Sequence, residues 1–485
     1  ALGALPGDRQ LSADIFGEVM NEQTVRVLRT ILPSAEGVLA RRHVGRILVL
    51  RTLVPSVGFV FLDTGSFRRG NSFHLVKCPP RLSGLTFQDA GTCFPKGVLC
   101  GIKPMPGEVP DDGEHPIIVD GERVLDSDDV LLVMARNIGD ATSVQEQRSV
   151  RRREIAKART DGPLTQPDGQ VLLGPTVAGR RTVLVLGVSQ DLPAILHNFD
   201  VHMAEGSEVH VLSTKPVKQR EDALRHYFAS RRPKPCPTNC AEFFDRITII
   251  HRVGDYRIEY ELQELPLARA DCALILAEQN EDEESAAADT RNLAAVIALR
   301  AVLSDTMRTR RCKIVTELLD PKSQQVLDRN NSVRALGSFI YSNTMATGVF
   351  AMAAAERHTF NVWRHLLSPN CEYQVAAASA KDYLSGSEEL SFDDLRERVW
   401  DMCRGVLLGW RRAEDRYPKL NPKDKTEQHC WSDARGDELI MLRSPPPIRA
   451  SSEDGGEYES AAPEGELGER PGSAKRPGFC NLNVP

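Results

Sequence analysis

A short pattern occurs twice along the chain, in the same order each time. Three segments of the first copy recur in the second: Leu85–Asp89 (LTFQD) as Leu390–Asp394 (LSFDD), Gly97–Gly101 (GVLCG) as Gly405–Gly409 (GVLLG), and Asp128–Leu132 (DDVLL) as Asp437–Met441 (DELIM). The offsets are 305, 308 and 309 positions, so only the connecting loops differ in length. An internal repeat constrains a fold more than any single motif. This one predicts a small β-rich module built twice, with room for a whole α/β lobe between the copies and none before the first.

The residues between the two copies alternate between strand and helix patterns. Apolar runs typical of buried parallel strands begin near Thr182, Glu208, Ile247, Cys272 and Lys313, and helical patterns lie between them. Such alternation favours a parallel sheet with right-handed crossovers. The predicted fold class is therefore α/β, with a Rossmann-like parallel-sheet lobe and small β-rich (α+β) lobes.

Three other segments complete the predicted organisation. Residues 137–180 form a linker, in which the basic run Arg148–Arg159 is either a solvated charged helix or a contact for an acidic surface or lipid headgroups. Ser338–Leu367 is predicted to be one long, mostly apolar helical stretch. Residues 444–485 are rich in Pro, Gly, Ser and Glu and are predicted to be disordered.

Composition excludes several classes of protein. The formal net charge of −6 gives no support to a nucleic-acid partner. The 11 cysteines are scattered, and the pair Cys236 and Cys240 has no second pair to complete a zinc site. No segment can span a membrane, since the best candidate, Ile47–Leu62, contains Arg51 and Pro55. The first residues form no secretory signal, and the absence of an initiator Met suggests a processed, truncated or partial chain.

The turn after the first strand of the α/β lobe does not carry a complete dinucleotide fingerprint. That fingerprint needs Gly at three places, and Leu186–Leu192 supplies only Gly187. The second strand ends in Ser213–Lys215, without a carboxylate for a ribose hydroxyl. The chain also lacks nucleophile-elbow, zinc-protease and phosphate-loop motifs. We therefore predict no enzymatic activity, no catalytic residue and no organic cofactor, and a dinucleotide-dependent oxidoreductase remains the alternative.

An acidic stretch follows the fourth strand directly and is the candidate metal site. Its carboxylates are Glu278, Glu281, Asp282, Glu283 and Glu284. They come at the carboxyl edge of the predicted sheet, where open α/β folds bind ligands, and clustered carboxylates suit a hard cation such as calcium. The competing interpretation is a solvated acidic loop at a helix start. EF-hand spacing is absent.

Several ordered blocks of the sequence resemble the CASTOR/POLLUX ion channels. The blocks are Phe94–Lys103 (FPKGVLCGIK), Val124–Ala135 (VLDSDDVLLVMA), Arg181–Gly187 (RTVLVLG), Glu205–Leu212 (EGSEVHVL), Ala273–Glu278 (ALILAE), Asp289–Ala294 (DTRNLA), Ile314–Asp320 (IVTELLD), Tyr341–Asn343 (YSN), and Leu420–Lys423 (LNPK) with Trp431 and Gly436–Glu438 (GDE). The resemblance covers about residues 20–443.

The resemblance implies tandem RCK-type units, each with a Rossmann-like N-lobe and a β-rich C-lobe joined by a crossover helix. Residues 1–136 would be the end of a first unit, with its crossover helix from His43 onward. Residues 181–340 would be the N-lobe of the second unit, and residues 341–443 its crossover helix and C-lobe. The pore helices and the first N-lobe of the family are absent from this sequence, so it is either a fragment or a free gating-ring protein.

In that family, four subunits form a membrane pore, eight RCK-type units form a gating ring, and calcium is implicated as regulator and permeant ion. We therefore predict the regulatory gating-ring portion of a cation channel that couples ligand or calcium binding to ion transport. The implied partners are other copies of the chain, in a homotetrameric ring, and the pore domain of the channel. We expect a chain that is soluble alone and is held at an organelle or nuclear envelope by the channel; the third alternative is a soluble ion-binding assembly protein.

A stripe of apolar residues on the second crossover helix is the predicted pairing surface. It consists of Ala346, Val349, Phe350, Met352 and Ala353. Crossover helices of RCK-type units exchange between paired lobes and bury such faces. We therefore predict that the chain associates into dimers or larger rings.

Overall fold

The computed structural model describes residues 15–19, 22–32, 35–65, 70–105, 117–146, 179–229, 240–278, 283–305, 312–368, 371–384, 388–431 and 436–444, all within one compact unit, Ala1–Pro445. The elements up to the linker are β1 (Ile15–Glu18), α1 (Glu22–Ile31), β2 (Ala35–Val38), α2 (Ala40–Leu53), α3 (Pro55–Thr64), β3 (Ser72–Lys77), α4 (Phe87–Ala90), β4 (Gly97–Lys103), β5 (Val130–Ala135) and α5 (Ile138–Thr142).

The elements of the central lobe are β6 (Thr182–Leu186), α6 (Leu192–His202), β7 (Ser207–Ser213), α7 (Val217–Ala229), β8 (Ile247–Val253), α8 (Glu259–Gln263), β9 (Cys272–Ile275), α9 (Ser285–Asp305), β10 (Lys313–Leu318), α10 (Pro321–Asp328), α11 (Asn331–Arg334) and β11 (Ser338–Tyr341). The last elements are α12 (Ser342–Ala355), α13 (Arg357–Leu366), β12 (Gln374–Ser379), β13 (Glu389–Leu390), α14 (Phe392–Cys403), β14 (Val406–Arg411), β15 (Lys419–Leu420), β16 (His429–Cys430) and β17 (Glu438–Arg443).

A six-stranded parallel sheet forms the largest layer. Its strand order is β11-β10-β9-β6-β7-β8, and every pairing is parallel. The central strand β6 is buried at all five positions, as expected for a strand covered by helices on both faces. This order is that of a doubly wound Rossmann-like sheet. The predicted α/β fold class is confirmed.

The two copies of the repeat form two small antiparallel sheets with the same construction. The first C-lobe (residues 70–146) contains β3-β5-β4, and the second C-lobe (residues 371–444) contains β12-β17-β14-β15. Both have a β-bulge at the equivalent place, between Leu99 and Gly101 and between Leu407 and Gly409. A bulge bends one strand against its partner, so the recurring Gly of the repeat marks a shared bend in the two lobes.

The region before the first C-lobe repeats the end of the central sheet. Strands β1 and β2 pair in parallel and lead into helices α2 and α3, as β10 and β11 lead into α12 and α13. The single long helix predicted over Ser338–Leu367 is wrong in this respect, because the segment is a strand followed by two helices. The break falls at Glu356, whose extended backbone (φ −154°) ends α12 and whose carboxylate accepts a hydrogen bond from the His358 amide at 3.2 Å.

We call residues 15–146 the first half of the chain and residues 179–444 the second half. The helix pair of each half, α2–α3 or α12–α13, packs against the other half. Helix α2 packs on α12, α3 packs on strand β12 of the second C-lobe, and α13 packs on strand β3 of the first. Trp363 of α13 is fully buried and donates from Nε1 to the Thr64 hydroxyl at 3.1 Å. Its ring meets His43 and Phe61 edge to face, with centroids 5.9 and 6.0 Å apart. The predicted pairing stripe is thus buried between the two halves of one chain, with Ala346, Val349, Met352 and Ala353 in the core.

The crossing from α3 to the second C-lobe is polar as well as aromatic. Arg411 of β14 donates to the Ser56 hydroxyl at 3.1 Å and pairs with Glu438 at 3.0 Å. Phe59 stacks on Tyr417, with ring centroids 5.3 Å apart. The Arg411–Ser56 and Phe59–Tyr417 contacts connect residues more than 350 positions apart and fix the two halves in one arrangement.

The C-lobes also touch each other directly. Lys425 of the second C-lobe is buried and donates to the carbonyls of Phe94 (2.8 Å) and Gly97 in the first. Gln88 donates to Glu397 at 2.7 Å. A buried ammonium that donates to backbone carbonyls fixes the position of one lobe on the other, because its displacement would leave a charge without hydrogen bonds.

Some predictions lie outside the described residues, namely the basic run Arg148–Arg159 and the tail beyond residue 444. The predicted domain boundaries at 136, 180, 340 and 443 stay predictions. Among the described helices, none is long and apolar enough to cross a membrane.

Candidate functional site

The carboxyl edge of the parallel sheet is the candidate site, because the strand order reverses there between β6 and β9. Gly187 ends β6 in the left-handed region (φ +84°). A Cβ atom at this position would lie 2.6 Å from the Leu276 carbonyl oxygen and 3.3 Å from the Tyr256 ring. Gly187 is therefore required by the turn and by the close approach of β9, which explains why the one Gly of the predicted fingerprint is present.

Glu278 extends from β9 across the end of β6. Its Oε1 accepts a hydrogen bond from the Ser213 hydroxyl, at the end of β7, at 3.1 Å. Since β6 lies between β9 and β7, this bond crosses the mouth of the crevice. Burial raises the pKa of Glu278, while the Ser213 hydrogen bond and the charges of Lys215 and Arg291 oppose the shift.

The crevice is thus lined by groups that bond to one another. Tyr256 is 2% exposed, and burial raises its pKa to about 12. Arg220 of α7 donates to the backbone carbonyls of Val211 (3.2 Å) and Arg252 (2.8 Å). In a dinucleotide-binding sheet this place would hold a pyrophosphate against a helix N-terminus. Here the chain's own carboxylate and hydroxyl meet there, which argues against the oxidoreductase alternative.

The described part of the acidic stretch is engaged with Arg291 of α9. The Arg291 guanidinium pairs with both carboxylate oxygens of Glu283, with Nη2–Oε2 at 2.7 Å, and it donates to the Glu278 carbonyl at 2.5 Å. The hydrogen bonds that Arg291 donates to Glu283 raise the pKa of Arg291. Glu284 is exposed at the start of α9.

Calcium binding by the acidic stretch is left as a prediction. Glu281 and Asp282 lie outside the described residues. Among the His, Cys, Asp and Glu residues that the structure describes, no three are grouped so that they could hold a metal ion. Asp289 accepts hydrogen bonds from the amides of Leu319 (2.7 Å) and Asp320 (2.9 Å).

A second buried carboxylate, Glu317 at the end of β10, ties the sheet to the crossover helices. It accepts hydrogen bonds from the Ser342 hydroxyl at the start of α12 (2.6 Å) and from the Ala277 amide (2.9 Å). Burial raises its pKa. Asp191 and Arg41 lie beside it, and Arg41 of α2 donates to Asn343 at 3.2 Å.

Burial shifts the pKa of three other titratable side chains. Asp191 stands at the start of α6, but its side chain accepts no hydrogen bond from that helix. Burial raises its pKa. His251 lies 3.4 Å from Arg220, and burial together with that charge lowers its pKa to about 4. His43 is buried against Phe360 and Trp363, and burial lowers its pKa well below 6.5.

The sequence missed the pairs that join this edge together. Glu278 and Ser213 are 65 positions apart, and Glu317 and Ser342 are 25 apart. No local spacing signals such pairs, because they depend on which strands become neighbours. The acidic stretch that directly follows β9 is the sequence signal that pointed to this edge.

Known ion channels match most of the chain. No protein-family model matches it. The chain is 25% identical over 450 residues to the probable ion channel SYM8 of Pisum sativum, a match that covers 86% of this chain and 45% of that protein. It is 26% identical over 445 residues to the ion channel CASTOR of Lotus japonicus, covering 86% and 47%. The chain therefore spans less than half the length of these relatives, and the predicted resemblance to CASTOR/POLLUX channels is confirmed.

A solved structure supports the fold. The gating ring of human SLO3 aligns with a TM-score of 0.59 at 12% identity, covering 90% of this chain and 82% of that one. At this identity the alignment shows the fold alone.

Proposed function

We propose that the chain is the regulatory gating-ring portion of a CASTOR/POLLUX-like cation channel and has no catalytic role. The observation that carries the proposal is the reciprocal packing of the crossover helices, with α3 on the second C-lobe and α13 on the first. This packing makes a tandem pair of RCK-type halves into one body. The similarity to plant ion channels over 86% of the chain supports the same conclusion.

The mechanism that follows is a shift between ring geometries. A ligand that binds one arrangement of lobes more tightly than another shifts the equilibrium by its differential affinity. The Glu317–Ser342 and Glu278–Ser213 bonds tie the sheet edge to α12 and across β6. A change at that edge would therefore move the crossover helices, and through them the linkers to a pore domain.

A chimera tests the proposal. This chain would replace the matched region of the Lotus japonicus ion channel CASTOR, and single-channel currents would be recorded in lipid bilayers. We expect currents whose open probability responds to the replaced region, and a changed open probability in Trp363→Phe, which removes the Thr64 hydrogen bond. A chimera that reaches the membrane, assembles and conducts identically with and without that change would contradict a gating role.

The same proposal includes partners and place. We propose a homotetramer whose eight RCK-type halves form a ring beneath the pore domain, held at a membrane by the channel, in an organelle or nuclear envelope. Native mass spectrometry would measure the number of copies, and immunolocalisation would identify the membrane.

Calcium as the regulatory ligand is a separate proposal, resting on the acidic stretch after β9. If calcium binds there, a hundredfold excess over its Kd stabilises the chain by about 2.7 kcal/mol. The measurement is the melting temperature with and without millimolar calcium, in wild type, in Glu281→Gln/Asp282→Asn, and in the remote control Glu259→Gln/Glu264→Gln. If calcium raised the melting temperature equally in all three proteins, or did not raise it in wild type, the acidic stretch would be a solvated loop and not a calcium site.

A NADH titration distinguishes the oxidoreductase alternative. We expect no saturable binding at micromolar NADH, because Glu278 and Ser213 meet across the mouth of the crevice. Saturable binding at micromolar NADH would revive it. The third alternative, a soluble assembly protein, predicts a chain that oligomerises but whose chimera lacks regulated currents.

A further inference from the structure

A cavity of about 660 Å³ lies between the first C-lobe and the second crossover helices. One wall comes from β3 and from the start of α5, and the other from the junction of α12 and α13. The volume falls within the range of roughly 300–1,000 Å³ that small-molecule sites occupy. It is separate from the sheet edge described above, and none of the predicted site residues lines it.

Apolar side chains line much of the cavity on both walls. Phe73, Leu75 and Ile138 come from the first C-lobe, and Met352 and Ala355 from α12. Ile138 is 56% exposed, which is unusual for a large aliphatic residue beside a cavity. Removing such surface from water stabilises a complex, so a ligand with an apolar body is favoured.

The polar groups of the cavity differ in whether they are already engaged. Thr64 donates to the Val60 carbonyl (2.8 Å) and accepts from Trp363, and Glu356 caps α13. Arg136, by contrast, is exposed and makes no ion pair or hydrogen bond with the described residues. Nε2 of His74 is buried and has no hydrogen-bond partner among them. Ser72 and Thr359 add hydroxyl groups to the lining. The exposed guanidinium of Arg136 is therefore the group that a ligand anion would meet.

We propose that this cavity binds an amphipathic organic anion, such as a medium-chain carboxylate. The carboxylate would pair with Arg136, whose planar guanidinium suits two parallel hydrogen bonds. The chain would lie against Ile138, Leu75 and Met352. Glu356 also lines the cavity. Its carboxylate would repel a ligand anion placed beside it, so the ligand carboxylate is placed at Arg136 instead.

The position of the cavity gives such a ligand a regulatory role, a step that rests on the proposed function. A bound molecule would touch the first C-lobe and the crossover helices of the second half at once. It would therefore favour the lobe arrangement in which both walls are close.

Decanoate, well below its micelle concentration, is the probe, measured by isothermal titration calorimetry on the whole chain. Two variants change exposed residues of the cavity: Ala355→Trp fills it and Arg136→Gln removes the cation. Their matched controls are Ala354→Trp, the exposed neighbour on α12, and Arg81→Gln, an exposed arginine elsewhere on the first C-lobe. Melting curves establish that each variant is folded.

We expect one decanoate per chain, binding abolished in Ala355→Trp, and affinity about fivefold weaker in Arg136→Gln, the scale of a partly exposed ion pair. Both controls should bind like wild type, and decanol should bind more weakly than decanoate. Unchanged affinity in either cavity variant, equal affinity for decanol, or no binding overturns the proposal. The binding measurements need no channel, so an absence of decanoate binding would not contradict the proposed gating role. A chimera without regulated currents would likewise not contradict the proposed binding site.

Discussion

Single buried carboxylates keep the same place in both C-lobes. Asp129 pairs with Arg123 at 2.8 Å, and its carbonyl accepts from the Cys78 amide. Asp437, 308 positions later, pairs with Arg412 at 2.8 Å, and its carbonyl accepts from the amide of Ala380. Each aspartate thus holds a turn against the first strand of its sheet. This role accounts for one member of the acidic pair in each copy, and the structure matches Asp437 with Asp129, one position from the match in the repeat.

Gly187 should tolerate substitution less than another glycine with the same backbone. We expect Gly187→Ala to destabilise the chain by about 2–4 kcal/mol, from the left-handed backbone and from the 2.6 Å approach to the Leu276 carbonyl. Gly84 has φ +87°, and a Cβ there would meet no described atom within 4 Å. Gly84→Ala should therefore cost only about 1 kcal/mol. Equal losses in urea denaturation would contradict the steric argument.

His202 should make the chain sensitive to acid. It is 1% exposed, neither ring nitrogen has a described hydrogen-bond partner, and burial lowers its pKa from 6.5 to about 3. The unfolded chain takes up the proton first, so the full stability is present above pH 6.5 and is lost as the pH falls from there toward 3. The loss at pH 5 should be about 2 kcal/mol.

The matched variants are His202→Leu and, as an exposed control, His358→Leu. We expect His202→Leu to reduce the difference in unfolding free energy between pH 7 and pH 5 by about 2 kcal/mol, and the control to leave it unchanged. Denaturant titrations at the two pH values measure it. An undiminished pH dependence in His202→Leu would mean that other groups carry the acid sensitivity.

At the level of elements, the sequence predicted what depends on local patterns. The twofold module was visible as an internal repeat, and the alternating strands and helices of the central lobe were visible as periodicity. Strand β11 was missed, because the four residues Ser338–Tyr341 run directly into α12, and a short apolar run cannot be assigned by periodicity alone. The crossing of α3 and α13 could not be predicted from residue patterns, because it depends on contacts such as Trp363 to Thr64, 299 positions apart.

The crossing helices should contribute much of the stability that joins the halves. Trp363→Ala would leave a cavity at a fully buried position and should cost about 3–5 kcal/mol. Trp363→Phe keeps an aromatic ring against His43 and Phe61 but loses the hydrogen bond to Thr64, and should cost about 1–2 kcal/mol. Guanidinium denaturation would measure both. If the alanine variant lost no more than the phenylalanine variant, the ring would not be the contact that joins the halves.

At the scale of the whole molecule, the predicted pairing stripe makes contacts within one chain and not between copies. Ala346, Val349, Met352 and Ala353 are covered by the chain's own helices, so they hold one chain together and leave the contacts between copies to other surfaces. The exposed Val27 and Ile31 of α1 are candidates, at 56% and 66% exposure. They lie on the helix that follows β1, beside the two-stranded sheet of the first half.

We expect the chain to associate at micromolar concentration, with a light-scattering mass that rises toward four times the chain mass. A surface in which α1 is covered would bury Val27 and Ile31, and each fully buried aliphatic side chain contributes about 1.5–3 kcal/mol. Val27→Glu/Ile31→Glu should therefore shift the mass toward the monomer, whereas Val326→Glu, equally exposed on α10, should not. A monomeric wild type at tens of micromolar would count against assembly by this chain alone, and an unchanged mass in the double variant would place the contact elsewhere. Helix α1 lies in the first half, whose described parallel sheet consists of β1 and β2. The experiment therefore also tests whether neighbouring copies meet through the first half or through the six-stranded lobe of the second half.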